Sequence, residues 1–274
     1  MRLPVRPRKK FAQHFMTSPR DLSAIAGALD ICPGEKVLEI GPGAGALTAE
    51  LLSRGAEVIA VEKDPRLADF LKKKESPAGS SLRIIRQDIL TVDIQKDLPT
   101  REPVKVAGNI PYNITSPILE WLITQRPWVT VAVLTVQWEV AQRLAAKPGG
   151  KDWGSLSVFL QLYTEVTLLH KIDKSHFYPP PKVDSGILKL TFLKTPRFAL
   201  KDEAFFFSLV RRAFQKRRKT LLNALADKKD AVASKKTLAA ALGRLNIDPK
   251  RRPETLTLRE WANLSESLGT ATQK

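Results

Sequence analysis

At 274 residues the chain has room for one large domain and a small one, and its 43% hydrophobic content excludes disorder as the default. Forty-five Lys and Arg against 28 Asp and Glu leave a net charge of +17, which favours an anionic partner. The single cysteine, Cys32, excludes an internal disulfide and a cysteine-based zinc site; His14, His170 and His176 are too scattered to suggest a metal, and no apolar run could span a membrane.

Residues 1–15 form a basic arm, with Arg2, Arg6, Arg8, Lys9 and Lys10 interleaved with prolines. No apolar run follows it, so no signal peptide is expected, while the acid-free start leaves a short transit peptide open. The expectation is a soluble, cytoplasmic protein. A first helix is expected from Pro19 to about Leu29, with Ser18 as its cap. Strands and helices then alternate: strand 36–40, a Gly-rich turn at 41–45, helix 46–53, strand 57–61, helix 65–74 opened by Asp64, and strand 82–86. Strand 104–108, helix 115–124, the β-branched run 129–136 and helix 139–146 continue the pattern. This alternation predicts an open, mostly parallel sheet covered on both faces. After Tyr178-Pro179-Pro180-Pro181-Lys182 one more strand, Gly186–Phe192, is expected to be antiparallel. The character changes near Thr195. Beyond it the signals are helical, with 18 Lys and Arg against 8 Asp and Glu, so domains of 1–195 and 196–274 are expected.

Four polar or glycine features, Gly41, Glu62, Asp88 and Asn109, fall at the ends of successive strands, where open α/β sheets bind ligands. The turn at Gly41-Pro42-Gly43-Ala44-Gly45 lets a ligand approach bare backbone. Gly41, Gly43 and Ala46 satisfy a dinucleotide pattern, while Glu39 before the first glycine and the G-x-G-x-G form lean toward S-adenosylmethionine. Glu62 can accept both hydroxyls of a ribose, and Asp88 an adenine amine. Asn109-Ile110-Pro111-Tyr112 separates the chemistries. The lone pair of a base amine is delocalised into the ring, and an acceptor on each N–H frees it to attack. The Asn109 amide oxygen and the Ile110 carbonyl, locked by Pro111, can supply those acceptors, and Tyr112 can stack on the base. Phe177, before the stiff triple proline, is a candidate second stacking ring. Arg211, Arg212, Lys216, Arg217, Arg218 and Lys219 put six positive charges into nine residues, a helical block suited to phosphate. Trp121, Trp128, Trp138 and Trp153 are expected in cores or interfaces.

These residues resemble those of the ribosomal RNA adenine N6,N6-dimethyltransferases that act on small-subunit (16S) rRNA. The resemblance covers nearly the whole chain. It is carried by Phe11-Ala12-Gln13-His14-Phe15, EIGPGAGALT, Glu62, QDIL, NIPYNIT, FYPPPKVDS and AFQKRRKTLLNAL. It implies a Rossmann-like S-adenosylmethionine-dependent methyltransferase sheet with a small C-terminal all-helical domain that binds rRNA. It also implies a cofactor held by His14, Met16, Gly41, Glu62, Asp88 and Asn109, although the family usually has Asn at His14, Leu at Met16 and Lys near Trp138. The implied substrate is two neighbouring adenines near the 3′ end of the rRNA, each methylated twice in an immature small subunit. Nothing demands an oligomer, and a monomer away from membranes is expected. Three alternatives stay open: a large-subunit rRNA methyltransferase of the macrolide-resistance type, a nucleic-acid-binding assembly or transcription factor on the same fold, and an NAD-dependent oxidoreductase.

Overall fold

The computed structural model describes residues 7–8, 13–73, 81–216, 218–226 and 232–269. Most of the basic arm and Arg217 therefore lie outside the described residues. Strands β1 (Phe15–Met16), β2 (Lys36–Ile40), β3 (Glu57–Glu62), β4 (Leu82–Arg86) and β5 (Val104–Asn109) come first. Strands β6 (Val129–Gln137), β7 (Thr164–Ile172), β8 (Phe177–Tyr178) and β9 (Ser185–Phe192) follow.

Helices cross between the early strands, and their starts are written in the sequence. In α1 (Pro19–Ala28), Ser18 accepts from Asp21 N–H and Pro19 sits where no donor is needed. In α3 (Pro65–Lys72), Asp64 and Pro65 repeat the arrangement. Between them, α2 (Ala46–Ser53) has Gly45 as its cap, at φ +86°. Three more helices, α4 (Ile94–Asp97), α5 (Thr115–Thr124) and α6 (Trp138–Ala145), complete this part of the chain.

Seven strands form one sheet in the order β4-β3-β2-β5-β6-β9-β7. β2 pairs in parallel with β3 and β5, β3 with β4, and β5 with β6; β9 runs antiparallel to β6. Runs such as Val58-Ile59-Ala60-Val61 and Ala132-Val133-Leu134 are buried at consecutive positions, because helices cover both faces. Each fully buried Leu or Ile in such a layer contributes about 1.5–3 kcal/mol. β1 and β8 form a separate antiparallel ribbon, with Phe15 opposite Tyr178 and Met16 opposite Phe177.

The chain divides into two compact units, and the boundary differs from the one expected at residue 195. Unit 1 holds residues 1–141 and 165–192, and unit 2 holds 142–164 and 193–274. Residues 142–164 belong with the helices because their large side chains find partners there. The Trp153 indole N–H donates to the Leu256 carbonyl at 3.2 Å, and Phe159 meets Phe207 edge-on at 4.6 Å. Unit 2 is built from α7 (Ser155–Tyr163), α8 (Glu203–Gln215), α9 (Leu221–Leu225), α10 (Lys235–Arg244) and α11 (Leu258–Gly269). Trp121 and Trp153 are buried, whereas Trp128 and Trp138 are half-buried. Lys171 on β7 lies over the Trp138 ring at 5.7 Å.

Candidate active site

After β4 the chain returns past β3 and β2 to lay down β5 on the other side of β2. A crevice opens beyond the carboxyl ends of β2 and β5, as strand order of this kind requires. A cavity of about 570 Å³ occupies it, walled by residues from all four strand ends and from the β1 segment.

The glycine turn forms one wall. Gly41 has φ +65°, and a Cβ added to it would meet no atom within 4 Å, so its backbone stands open. Gly43, at φ +60°, is fixed by a different neighbour, since a Cβ there would lie 2.8 Å from Cε1 of Phe15. Gly43 N–H donates to Glu62 Oε2 at 3.1 Å, and Asp64 N–H donates to Glu62 Oε1 at 2.7 Å. The carboxylate at the end of β3 is therefore held in one orientation. Burial pushes its pKa up, and those two backbone donors pull against it. Glu39 on β2 is more deeply enclosed. Burial, reinforced by the nearby Glu62 charge, raises it to about 8 although Thr48 Oγ1 donates to it at 2.7 Å. At neutral pH Glu39 carries a proton.

Asp88 follows β4; its Oδ1 accepts from Leu90 N–H, and Lys63 pairs with Oδ2. At the end of β5 the Asn109 amide nitrogen donates to the His14 carbonyl at 2.8 Å, leaving the amide oxygen as the end that can accept a ligand's hydrogen. The His14 ring lies 6.0 Å from the Tyr112 ring, at 20° to it, and its Nδ1–H donates to the Pro179 carbonyl at 2.6 Å. The Tyr112 hydroxyl meets Ser185 Oγ. Ile110, Pro111 and Met16 complete the wall, so His14, Met16, Gly41, Gly43, Glu62, Asp88 and Asn109–Tyr112 all surround one cavity.

Phe177 does not join them. It is 3% exposed, sits in the apolar cluster with Met16, Ile172 and Ile187, and is absent from the cavity lining, so here it packs as core. The basic block also differs from a continuous helix. Arg211 and Arg212 lie on α8, Lys216 caps its end, and Arg218 and Lys219 follow in the turn before α9. Cations at that end suit the negative pole of the helix.

Two contacts in the wall gave no sequence signal. Phe15 closes the basic arm and the Phe11–Phe15 stretch, yet nothing in that stretch says that its ring covers Gly43. The pairing of Lys63 with Asp88 joins two strand ends that only the sheet brings together.

Comparison with known proteins adds to this geometry. The family model described as ribosomal RNA adenine dimethylase matches residues 5–268. A ribosomal RNA small subunit methyltransferase A from Moorella thermoacetica is 44% identical over 96% of this chain and 92% of its own length. Its namesake from Myxococcus xanthus is 41% identical over 98% and 93%. A dimethyladenosine transferase from Plasmodium falciparum superimposes with a TM-score of 0.78 at 28% identity, over 94% of this chain and 98% of its own. The 23S rRNA methyltransferase ErmE does so with 0.68 at 29%, over 93% and 99%. With the family model matching residues 5–268 and relatives above 40% identity, the chain belongs to the ribosomal RNA adenine dimethylase family.

Proposed function

We propose that this chain is an S-adenosylmethionine-dependent methyltransferase that dimethylates the N6 amines of two adjacent adenines near the 3′ end of 16S rRNA. One observation carries the reading: Asn109–Tyr112 borders the same cavity as the open glycine turn and the oriented Glu62 carboxylate. The residues fit the cofactor, because Gly41 offers bare backbone, Glu62 retains lone pairs for two ribose hydroxyls, and Asp88 can accept the adenine amine. His14, Met16 and Gly43 complete its binding set. When bound, S-adenosylmethionine supplies a methyl group on a positively charged sulfur.

The chain's own residues do the rest. Asn109 Oδ1 and the Ile110 carbonyl accept the two hydrogens of the target amine and draw its nitrogen toward tetrahedral geometry. The His14 carbonyl fixes which end of Asn109 faces the amine. Tyr112 holds the base by its face, and burial pushes its phenol pKa up, so the ring stays neutral. An amide acceptor also leaves no buried charge beside the product amine.

The small-subunit reading is favoured over the large-subunit one because relatives named for the small subunit reach 44% identity, against 29% for the 23S rRNA methyltransferase. Arg211, Arg212, Lys216, Arg217, Arg218 and Lys219 are proposed to contact rRNA phosphates. The proposed setting is the cytoplasm, with the chain as a monomer on an immature small subunit; among the described residues no helix is long and apolar enough to cross a membrane.

The test is mass mapping of modified nucleotides on small-subunit rRNA incubated with the chain and cofactor, using parent and Asn109→Ala proteins. Two dimethyladenosines are expected with the parent. With Asn109→Ala, incorporation should fall by at least about 100-fold, the scale seen when a preorganised hydrogen-bonding group is removed, while rRNA binding persists. Equal activity in the two proteins, or methylation of large-subunit rRNA alone, would overturn the reading.

A further inference from the structure

Tyr178 is 56% exposed, the most open of the large apolar side chains among the described residues. Its backbone is nevertheless held on both sides. β8 pairs with β1, and the next carbonyl, Pro179, accepts from the His14 ring. Residues directly opposite in an antiparallel pair present side chains on the same face. Tyr178 therefore shares a face with Phe15, whose ring covers Gly43 in the cavity wall, while Met16 and Phe177 share the other. Through Pro179 and His14, Tyr178 is also tied to the ring stacked on Tyr112. Lys174 and Lys182 are exposed on the same segment. An exposed ring on a held backbone, paired with Phe15 of the cavity wall and carried on a segment with exposed cations, is the composition of a single-strand stacking platform.

We propose that Tyr178 is a second base subsite. It stacks on the nucleotide adjoining the adenine presented to Asn109 and Tyr112, and Lys174 and Lys182 meet the neighbouring phosphates. This rests on the RNA adenine reading above and adds how the strand is held beside its target. A nucleobase is the favoured occupant because every base offers a π-face and the chain carries +17.

The test uses the full chain and an RNA hairpin of the small-subunit 3′ end, with 2-aminopurine beside the target adenine as a fluorescent reporter of stacking. Tyr178→Phe should keep affinity within about twofold, and Tyr178→Ala should weaken it about 5- to 150-fold and abolish the stacking signal. With an abasic site in place of the neighbouring base, parent and Tyr178→Ala should bind alike. In methylation assays on small subunits, the KM of Tyr178→Ala should rise more than its kcat falls. Equal affinity of Tyr178→Ala and parent for the intact hairpin, an undiminished loss on abasic RNA, or an unchanged KM would overturn the subsite and leave the methyltransferase reading standing. Failure of the parent to methylate any rRNA would overturn both.

Discussion

Glu39 is a buried carboxyl that keeps its proton at neutral pH, and this makes the stability of the fold depend on pH in a defined direction. Its pKa is 4.5 in the ordinary state and about 8 in the folded one, mainly because burial disfavours the charge. Between those values the folded chain holds a proton that the unfolded chain has released, so stability falls as pH rises across the window. Glu39→Gln removes the titration. Its melting temperature relative to the parent should therefore climb steadily from 4.5 to about 8; a constant difference would show that Glu39 is ionised throughout. Residue identity was legible in the sequence, since the acid before Gly41, Glu62, Asp88 and Asn109 were all marked by position. Phe177 shows where that reading stops. A ring next to a stiff proline run can face either way, and the pairing with Met16 turns it into the core while Tyr178 faces out.

Among the elements, the ribbon of β1 and β8 has the most to do with the cavity for its size. Thr17 N–H and Oγ1 donate to the His176 carbonyl at 2.8 and 3.0 Å, which continues the ribbon into α1. Asp21 on α1 is buried and accepts from His176 Nδ1 at 2.6 Å and from His170 Nε2 at 3.2 Å. Burial would raise its pKa, but hydrogen bonds from Ser18, His176 and His170 outweigh that and hold it below the ordinary 3.8. A carboxylate lowered in this way stabilises the fold above its unfolded pKa, and the contribution is lost as pH falls through the folded value. Asp21→Asn should cost about 1.5–3 kcal/mol at neutral pH, the scale of hydrogen bonds to a charged group. In urea unfolding the gap should close as pH drops below 3.8; a gap that persisted there would mean the charge contributes nothing. None of this was readable in the sequence. A two-residue strand has no periodicity, and its partner is more than 150 residues away. By contrast, the bounds of β2, α2, β4 and α5 match the sequence expectation, because each carries its own apolar period and its own start or stop signal.

At the scale of the whole molecule, the unit division places the proposed phosphate contacts and the cavity on different parts of the chain. Arg218 and Lys219 lie in unit 2, and all the cavity-lining residues lie in unit 1. If both cations meet phosphate, each substitution to Ala should lower the slope of log affinity against log salt by roughly 0.7–0.9. Methylation at saturating rRNA should be retained in filter-binding and turnover assays run in parallel. An unchanged slope would remove these two residues from the interface.

The sequence by itself determined the alternation of strands and helices between residues 36 and 146, the caps Ser18 and Asp64 and the four strand-end groups, because each is set by neighbours a few residues away; the net charge follows from composition alone. Tertiary structure decided that residues 142–164 join the helical unit, that Phe177 is core and Tyr178 is not, and that His14 pins the Asn109 amide. Each of these depends on which distant surface a side chain finds to bury against, and local pattern carries no record of that partner.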